Sequence, residues 1–426
     1  MPRLAHGDGG HSQSWRGEIE QQQQSIAQAL SSPVLCTCPK AHASHSIGHV
    51  PIEGEGNLQK IMALNCGIVG LPNVGKSTIF NALTAAKAQA ANYPFCTIDP
   101  NVGIVSVPDE RLDRIAAIFK PKSLVPTTME FIDIAGLVAG ASKGEGLGNQ
   151  FLSHIRATDA IVHVVRCFDD PEVVHVAGGV NPLSDIDVIN TELMLADLDS
   201  VEKRSQRLEK LAKNSTDPKL KAEVAGVAKI KAALEAGKPA RTVDLTDDER
   251  AATRDLQLIT AKPMLYVANV DDSSLASGNA YTAQVEQRAA EEGSQVVRIC
   301  GAMEAEIALL EPAERDEFLA DMGLTEPGLN RLIHAGYRLL DLITYFTAGP
   351  QECRAWTIQR GTKAPGAAGV IHSDFERGFI RAEAYNSDDL FRLGTEQAVK
   401  EAGLLRSEGK EYVVKDGDVL FFKFNV

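Results

Sequence analysis

The sequence predicts an α/β fold in which a parallel β-sheet is covered by helices on both faces, and three observations favour it. From residue 62 onward, short β-rich runs alternate with helical stretches. A glycine-rich loop lies between the first β-rich run and the first helical one. A helical hairpin interrupts the alternation, and a small β-rich segment ends the chain. Such alternation is typical of parallel sheets, because each crossover between parallel strands needs a helix.

The predicted elements follow from hydrophobic spacing. Strands are expected at residues 66–69, 129–132, 160–165, 264–268 and 296–299, and the first helix at residues 78–88. A three-four spacing of the first helix of the hairpin is made by Leu198, Val201, Ser205, Leu208 and Ala212. After a turn at 214–218, the pattern continues with Leu220, Val224, Val227 and Leu234. The resulting domain boundaries are an extension (1–61), the first part of the α/β domain (62–190), the helical arm (191–258), the second part of the α/β domain (259–344) and a C-terminal β-rich domain (345–426).

The N-terminal extension differs in composition from the rest of the chain. It holds a run of four glutamines and five of the ten histidines, with little hydrophobic periodicity. This composition is typical of disorder. Because Met62 directly precedes the first predicted strand, our hypothesis is that translation starts there and that residues 1–61 are not made. Mass spectrometry of the native N-terminus tests it, since peptides from within residues 1–61 would contradict it.

Charge and composition narrow the function classes. The net charge of −14 argues against a general nucleic-acid binder and predicts no DNA partner. No apolar run approaches the roughly 18 residues of a membrane span, and the start lacks the pattern of a signal peptide. Five of the seven cysteines are scattered without paired spacing, which is typical of free thiols in a reducing compartment, and Cys36 and Cys38 form a CxC that lacks the second pair expected of a zinc site. We therefore expect a cytoplasmic protein without a membrane partner.

The helical arm is locally basic. Residues 200–238 hold ten Lys or Arg and five Asp or Glu, a difference of +5. Two interpretations stay open, a solvated helix surface or a contact with RNA phosphates.

Residues 70–77 read GLPNVGKS and match the phosphate-binding pattern GxxxxGK[ST]. The glycines let backbone N–H groups face the phosphates, and the helix that follows directs its positive end at them. Lys76 is expected to reach the β- and γ-phosphates, and Ser77 to bind Mg²⁺. The predicted phosphate-binding residues are Asn73, Val74, Gly75, Lys76, Ser77 and Thr78.

Two further segments are typical of nucleotide switches. Asp133 begins a DxxG motif after a predicted strand, so its carboxylate is expected at Mg²⁺ and the Gly136 N–H at the γ-phosphate. Thr97 lies between the P-loop helix and Asp133, where a switch threonine closes on the metal. The predicted metal ligands are therefore Ser77, Thr97 and Asp133, with Lys76 and Gly136 acting on the transferred phosphate.

The usual catalytic glutamine is absent. Leu137 stands in its place, and a leucine cannot orient water. Either the intrinsic rate is very low or another group acts. Asn73 is a candidate ligand for K⁺, which would supply the charge of a missing arginine finger. The alternative is that Asn73 only shapes the loop.

The base-reading loop is ambiguous. Guanine-specific enzymes carry NKxD after a late strand, and here Asn269, Val270 and Asp272 occupy the Asn, Lys and Asp positions. Asp272 could accept the N–H groups of guanine, whereas the missing lysine weakens such a site. Cys300, Gly301 and Ala302 follow the next strand and are expected to flank the base.

Taken together, these motifs resemble one family, the YchF group or Obg-like ATPases. The segments that carry the resemblance are NCGIVGLPNVGKS (65–77), NYPFCT (92–97), TMEFIDIAGL (128–137) and GEGLGNQ (144–150). The resemblance covers residues 62–426. It implies a G domain, an inserted coiled-coil arm and a C-terminal TGS domain of β-grasp type. It also implies hydrolysis of ATP in preference to GTP, association with the ribosome, and a role in translation or stress responses.

The resemblance also implies a catalytic residue. By motif, the histidine proposed as catalytic in the family corresponds to His175, although a partly buried loop histidine is the other interpretation. One departure concerns base choice, because the family usually shows NxxE and this chain has Asp272. Three functions therefore stay open: a ribosome-associated ATPase switch, a GTP-specific ribosome-assembly GTPase, and a nucleotide-gated binding module with incidental hydrolysis.

Overall fold

The computed structural model describes residues 64–90, 101–134, 147–175, 178–213 and 215–425. These residues form two compact units. The larger unit holds residues 64–106 and 129–340, and the smaller unit holds residues 107–128 and 341–425.

The described strands, in chain order, are β1 (Asn65–Val69), β2 (Val102–Ser106), β3 (Ser123–Val125), β4 (Thr128–Asp133), β5 (Ala160–Arg166), β6 (Met264–Asn269), β7 (Gln295–Ile299), β8 (Leu342–Thr347), β9 (Glu352–Gln359), β10 (Phe379–Asn386), β11 (Arg406–Glu408) and β12 (Asp418–Phe424). The described α-helices are α1 (Lys76–Ala90), α2 (Glu110–Phe119), α3 (Leu147–Ala157), α4 (Pro182–Ala212), α5 (Pro218–Glu235), α6 (Asp247–Thr253), α7 (Ala280–Glu292), α8 (Gly301–Ile307), α9 (Pro312–Asp321), α10 (Gly328–Leu339), α11 (Ala364–Ile371), α12 (Ser373–Arg377), α13 (Ser387–Leu393) and α14 (Glu396–Glu401).

The larger unit is built on a six-stranded sheet with the order β2-β4-β1-β5-β6-β7. Strands β4, β1, β5, β6 and β7 pair in parallel. Every residue of β5 and of β6 is buried, as expected for central strands that helices cover on both faces. The predicted α/β fold is confirmed, and each predicted strand is present with bounds that differ by at most a few residues.

The predicted helical hairpin is present as α4 and α5. Its two helices share a buried apolar seam made by Val201, Leu208, Val227, Ile230 and Leu234. Asn181 caps α4 by accepting the Ser184 N–H, and Pro182 occupies the first turn, so the helix starts earlier than residue 191.

A buried carboxylate fixes the root of the hairpin. Asp197 on α4 has no exposed surface and accepts hydrogen bonds from the backbone N–H groups of Ile259 (3.0 Å) and Thr260 (2.7 Å). The Thr260 hydroxyl donates a third bond of 2.7 Å to the same carboxylate. These bonds join the arm to the chain segment that leads into β6.

The smaller unit contains a mixed sheet with the order β11-β10-β12-β8-β9-β3. The parallel pair β12–β8 lies between antiparallel neighbours, and helices α11 and α12 contribute to the main core against this sheet. This arrangement agrees with the β-grasp-like domain expected at the C-terminus.

The domain boundaries drawn from the sequence place residues 107–128 in the first part of the α/β domain (62–190). In the structure they belong to the smaller unit. Strand β3 pairs in parallel with β9, and Leu112 and Ile115 of α2 are buried against Phe346 and Ala355. The physical reason is a strand pairing across more than two hundred residues, which a pass along the chain does not detect.

No helix in the described part of the chain is long and apolar enough to cross a membrane. Cys66, Cys167, Cys300 and Cys353 are buried free thiols.

Candidate active site

The phosphate loop connects β1 to α1 at the carboxyl end of the central strands. Gly75 has a φ of 94°, and a Cβ there would lie 2.2 Å from Nδ2 of Asn269. A Cβ on Gly70 would lie 2.5 Å from the backbone oxygen of Val164. Both positions therefore require glycine, one because of its left-handed backbone and both because of close neighbours.

Lys76 is held inside the loop. Its side chain is buried, and Nζ donates a 2.7 Å hydrogen bond to the backbone oxygen of Leu71. Burial lowers the pKa of Lys76 to about 8, although the Asp133 carboxylate opposes this shift. A phosphate at the loop would favour the charged ammonium.

The two described residues of the predicted metal site lie together. The Ser77 hydroxyl donates a 3.2 Å hydrogen bond to Oδ2 of Asp133. Oδ1 of Asp133 is buried and lacks a hydrogen-bond partner in the described part of the chain. Hydroxyl and carboxylate oxygens are the ligands that Mg²⁺ prefers, so the donor set and the unsatisfied oxygen fit this ion. Thr97, Gly136 and Leu137 lie outside the described residues.

Asn269 connects the phosphate loop to the base loops. Its Nδ2 donates to the backbone oxygen of Val74 at 2.9 Å, and its Oδ1 accepts the N–H of Gly301 at 3.0 Å. The side chain is almost fully buried, so Asn269 acts by joining these loops. Asp272 is exposed, and its Oδ1 accepts the Ser273 N–H at 2.8 Å.

A single cavity of about 810 Å³ joins the phosphate loop to the base loops. Of the residues predicted for nucleotide binding, it is lined by Asn73, Gly75, Lys76, Ser77, Thr78, Asn269, Val270, Asp272, Cys300, Gly301 and Ala302. Val74 does not line it; its side chain is buried, and its contribution is the backbone oxygen that Asn269 binds. The volume is in the range of small-molecule sites.

Sequence reasoning missed the remaining walls of the cavity, which are Phe168, Asp169, Asp170, Pro171, Val173, Asp271, Met303, Glu306, Phe318 and Met322. The segment 168–173 directly follows β5, whose carboxyl end meets that of β1. Ligands of open parallel sheets bind at this edge, so the position of the segment after a predicted strand was an available signal.

Arg166, the last residue of β5, holds the segment 168–173 in place. The side chain is buried, and it donates to three backbone oxygens: Nε to Phe168 (3.1 Å), Nη2 to Asp170 (3.1 Å) and Nη1 to Val173 (2.9 Å). One buried guanidinium therefore sets the course of the whole segment.

His175 ends this segment and does not line the cavity. Its Nε2 lies 3.0 Å from Oδ2 of Asp185, in the first turn of α4, and both side chains are almost fully buried. Burial raises the pKa of Asp185, while the hydrogen bond from His175 and the charge of Arg166 oppose the shift. The preceding residue contacts the phosphate loop, because Asn73 Nδ2 donates to the Val174 oxygen at 3.2 Å.

The fold and this site define a P-loop nucleoside-triphosphate hydrolase. The family model described as 50S ribosome-binding GTPase (MMR_HSR1) matches residues 65–215. A second model, YchF-GTPase_C, described as a protein of unknown function (DUF933), matches residues 342–425. The chain belongs to the YchF family.

Curated relatives support this assignment over most of the chain. The Ribosome-binding ATPase YchF of Escherichia coli O157:H7 is 58% identical over 365 residues, which cover 86% of this chain and 100% of that protein. The protein of the same name from Bacillus subtilis (strain 168) is 57% identical over 367 residues, with the same coverage. Obg-like ATPase 1 of Oryza sativa subsp. japonica is 47% identical and covers 85% of this chain and 92% of its own.

A solved structure agrees with the fold. The Schizosaccharomyces pombe YchF GTPase has a TM-score of 0.77 at 42% sequence identity, covering 84% of this chain and 97% of that one.

Proposed function

We propose that this protein binds ATP with Mg²⁺ in preference to GTP, hydrolyses it slowly, and acts in the cytoplasm as a nucleotide-dependent switch at the ribosome. The observation that carries the proposal is the cavity that joins Lys76 and Ser77 to a base pocket with Val270 at the lysine position. The names of the relatives, Ribosome-binding ATPase and Obg-like ATPase, support the same activity.

The phosphate end supports binding of a triphosphate. Lys76 is placed to exchange its bond to the Leu71 oxygen for phosphate oxygens, and α1 points its N-terminus toward them. Ser77 and Asp133 would hold Mg²⁺, which neutralises charge on the β- and γ-phosphates when it is bound. Thr97 and Gly136 are proposed to complete this site.

The base end supports adenine more than guanine. Val270 is buried and uncharged, so the cation that accompanies guanine recognition in NKxD enzymes is missing. Met303, Phe318 and Met322 give the pocket an apolar wall that suits a purine ring. The exposed Asp272 carboxylate remains available to accept the exocyclic N–H₂ of adenine. It could also accept from guanine, which is why GTP is the second candidate nucleotide.

For hydrolysis, we propose that His175 positions or activates water and that K⁺ at Asn73 supplies positive charge. Asn73 lines the cavity and contacts the Val174 oxygen, so the phosphate loop touches the segment that carries His175. His175 must leave Asp185 before it can act in the cavity. This burial favours slow basal turnover.

The same contact favours a second candidate function. A histidine held outside the cavity is what a nucleotide-gated binding module with incidental hydrolysis would show. In that case His175→Ala leaves both partner binding and the cellular phenotype unchanged. Loss of ribosome-stimulated hydrolysis together with the phenotype would instead support the ATPase switch.

The deciding experiment is calorimetric titration of the protein starting at Met62, in K⁺ and Mg²⁺ buffer, with non-hydrolysable ATP and GTP analogues. Tighter binding of the ATP analogue supports the proposal. Tighter binding of the GTP analogue would mean that Asp272 reads guanine, and the chain would then act as a GTPase of the ordinary ribosome-assembly type. Lys76→Ala is the matched negative control, since it removes the phosphate contact for both analogues.

A further inference from the structure

The larger unit has a second cavity, of about 710 Å³, which we call the α10 groove. It lies between α7, β7 and α10 and shares no lining residue with the nucleotide cavity. Its walls are Glu286, Ala289, Ala290, Ser294, Val296, Val297, Arg298, Glu326, Arg331, His334 and Arg338.

The α10 groove lies along the open edge of the parallel sheet. Strand β7 is the last strand in the sheet order, and its consecutive residues Val296, Val297 and Arg298 all line the groove. Consecutive strand residues point to opposite faces, so a cavity that touches all three must lie against the strand edge. Arg331 reaches this edge, because its Nη2 donates to the Arg298 backbone oxygen at 3.2 Å.

One face of α10 supplies cationic and hydrogen-bonding groups to the groove. Arg331, His334 and Arg338 are spaced by three and four residues, which places them on the same side of the helix. Nε of Arg331 and Nε2 of His334 are buried and have no hydrogen-bond partner within the described residues. Arg338 is exposed and makes no ion pair there. Buried polar nitrogens in proteins are normally satisfied, so the Nε–H of Arg331 indicates a missing acceptor and Nε2 of His334 a missing hydrogen-bond partner.

The acidic residues of the groove do not cancel this charge. Glu286 on α7 lies 3.5 Å from Nε of Arg298, whose Nη1 also donates to the Ala276 oxygen at 3.0 Å. With that pair neutralised, Glu326 is the remaining acidic residue of the lining, and the buried Glu304 outside the lining interacts with Arg331. The groove cation that is left without an acidic partner among the described residues is therefore Arg338.

We propose that the α10 groove binds the phosphate group of a small organic phosphate. The guanidinium of Arg331 would turn its free Nε–H to a phosphate oxygen, with Arg338 and the Nε2 of His334 completing the contacts. The aliphatic floor made by Ala289, Val296 and Val297 would receive the organic part. This site is separate from the P-loop and does not depend on which nucleotide the P-loop prefers.

The test is titration of the full chain with inorganic phosphate and with glycerol 3-phosphate, by calorimetry at low ionic strength. The P-loop is first saturated with Mg²⁺ and a non-hydrolysable ATP or GTP analogue, whichever binds. Saturable binding of phosphate is expected, and tighter binding of glycerol 3-phosphate would assign the site to organic phosphates. Equal affinity would reduce the site to one for the free anion and overturn the organic-phosphate assignment.

Variants locate the site. Arg331→Gln and Arg338→Gln should each weaken phosphate binding about tenfold, as expected for loss of a charge-assisted hydrogen bond. Because Arg338 is exposed, its variant tests the site even if Arg331→Gln does not fold. Arg315→Gln is the matched control: Arg315 is partly exposed, and within the described residues its one ion pair is with the adjacent Asp316, at 3.7 Å. Absence of saturable binding, or equal weakening by the control, would overturn the proposal.

Discussion

Nε2 of His175 lies 3.0 Å from Oδ2 of Asp185, and this contact joins the wall of the nucleotide cavity to the first turn of α4. Both side chains are almost fully buried. A hydrogen bond between an imidazole and a carboxylate in such surroundings has a strong preference for remaining formed. The structure therefore captures His175 in a position in which it is bound to Asp185 and does not line the nucleotide cavity.

Asp185→Asn should raise the rate of nucleotide hydrolysis. The neutral amide keeps the volume but loses the charge-assisted part of the bond, about 1 kcal/mol, so release of His175 becomes roughly fivefold easier. The rate constant is measured in single-turnover experiments. Asp187→Asn is the control, because Asp187 lies on the same helix but pairs with Arg288 at 2.6 Å. A lower rate, or a gain that persists in an Asp185→Asn, His175→Ala double variant, would contradict the prediction.

Nucleotide affinity should fall as pH rises through about 8. The pKa of Lys76 is lowered to about 8 in the nucleotide-free protein, and bound phosphates would restore the charged form. Binding above pH 8 therefore takes up a proton. Calorimetry at pH 8.5 in two buffers with different ionisation enthalpies detects that proton as a difference in apparent binding heat. Identical heats in the two buffers would rule out the linkage.

The same lowered pKa affects stability without nucleotide. Between about pH 8 and 10, the unfolded chain keeps the Lys76 proton, whose pKa there is about 10.4, while the folded protein has lost it. Since the unfolded state then binds more protons, this group increases the free energy of unfolding as pH rises through that range. Below pH 8, Lys76 is charged in both states and the increase is absent.

Asp272→Glu should increase the preference for ATP over GTP. Glutamate at this position matches the family pattern, and its longer side chain moves the carboxylate further into the base pocket. The measurement is the ratio of ATP to GTP analogue affinities. Asp271→Glu is the matched control, because the Asp271 carboxylate is engaged by the Ser273 hydroxyl and the Ser274 N–H. An unchanged ratio in Asp272→Glu would count against a role of this residue in base choice.

Charge reversal at Lys203, Arg204 and Arg207 should weaken cosedimentation with ribosomes in a salt-dependent way. Lys203 pairs with Asp199 and Arg204 with Glu223, whereas Arg207 is exposed and has no ion pair in the described part of the chain. Arg207→Glu is therefore expected to give the largest single effect. Arg315→Glu, outside the arm, is the control, and undiminished cosedimentation of the triple variant would remove the RNA-contact interpretation.

Asp197→Ala should destabilise the protein by about 3 kcal/mol or more, because three donors at Ile259 and Thr260 lose a buried acceptor. Urea unfolding measures the change. Asp199→Ala is the control on the same helix: its carboxylate is exposed and, in the part of the chain that the structure describes, its one ion pair is with Lys203, so a change of less than about 1 kcal/mol is expected. Equal effects would mean that the root of the arm is not fixed by Asp197.

How much the sequence could predict depended on the range of the interactions. The phosphate loop, Asp133 and Asn269 were identified because each belongs to a short motif next to a clear strand. The segment 168–173 was missed because it reaches the cavity only through the parallel pairing of β5 with β1. The position of the segment after a predicted strand was an available signal, but the strand order that brings it to the cavity is not visible in any local pattern.

Two other features needed the structure for similar reasons. Residues 107–128 could not be assigned to the smaller unit, because β3 finds its partner β9 far along the chain. His175 was identified by motif, but its contact with Asp185 crosses from a loop to a helix. From the sequence, His175 lies in a loop and Asp185 near the start of a helix. Only the folded structure shows that the two side chains are in contact.

Helix α4 is one uninterrupted rod of 31 residues, about 45 Å long, that carries Asp185 near one end and the tip of the arm at the other. Asp197 lies between these two ends and is held by its bonds to Ile259 and Thr260, so a sideways displacement of the tip would tilt the helix about Asp197 and move Asp185 in the opposite direction. The arm is therefore a lever, and the end opposite its tip carries Asp185, the residue bound to His175. Binding of a partner at the tip would therefore act on the contact between Asp185 and His175 without touching the nucleotide cavity.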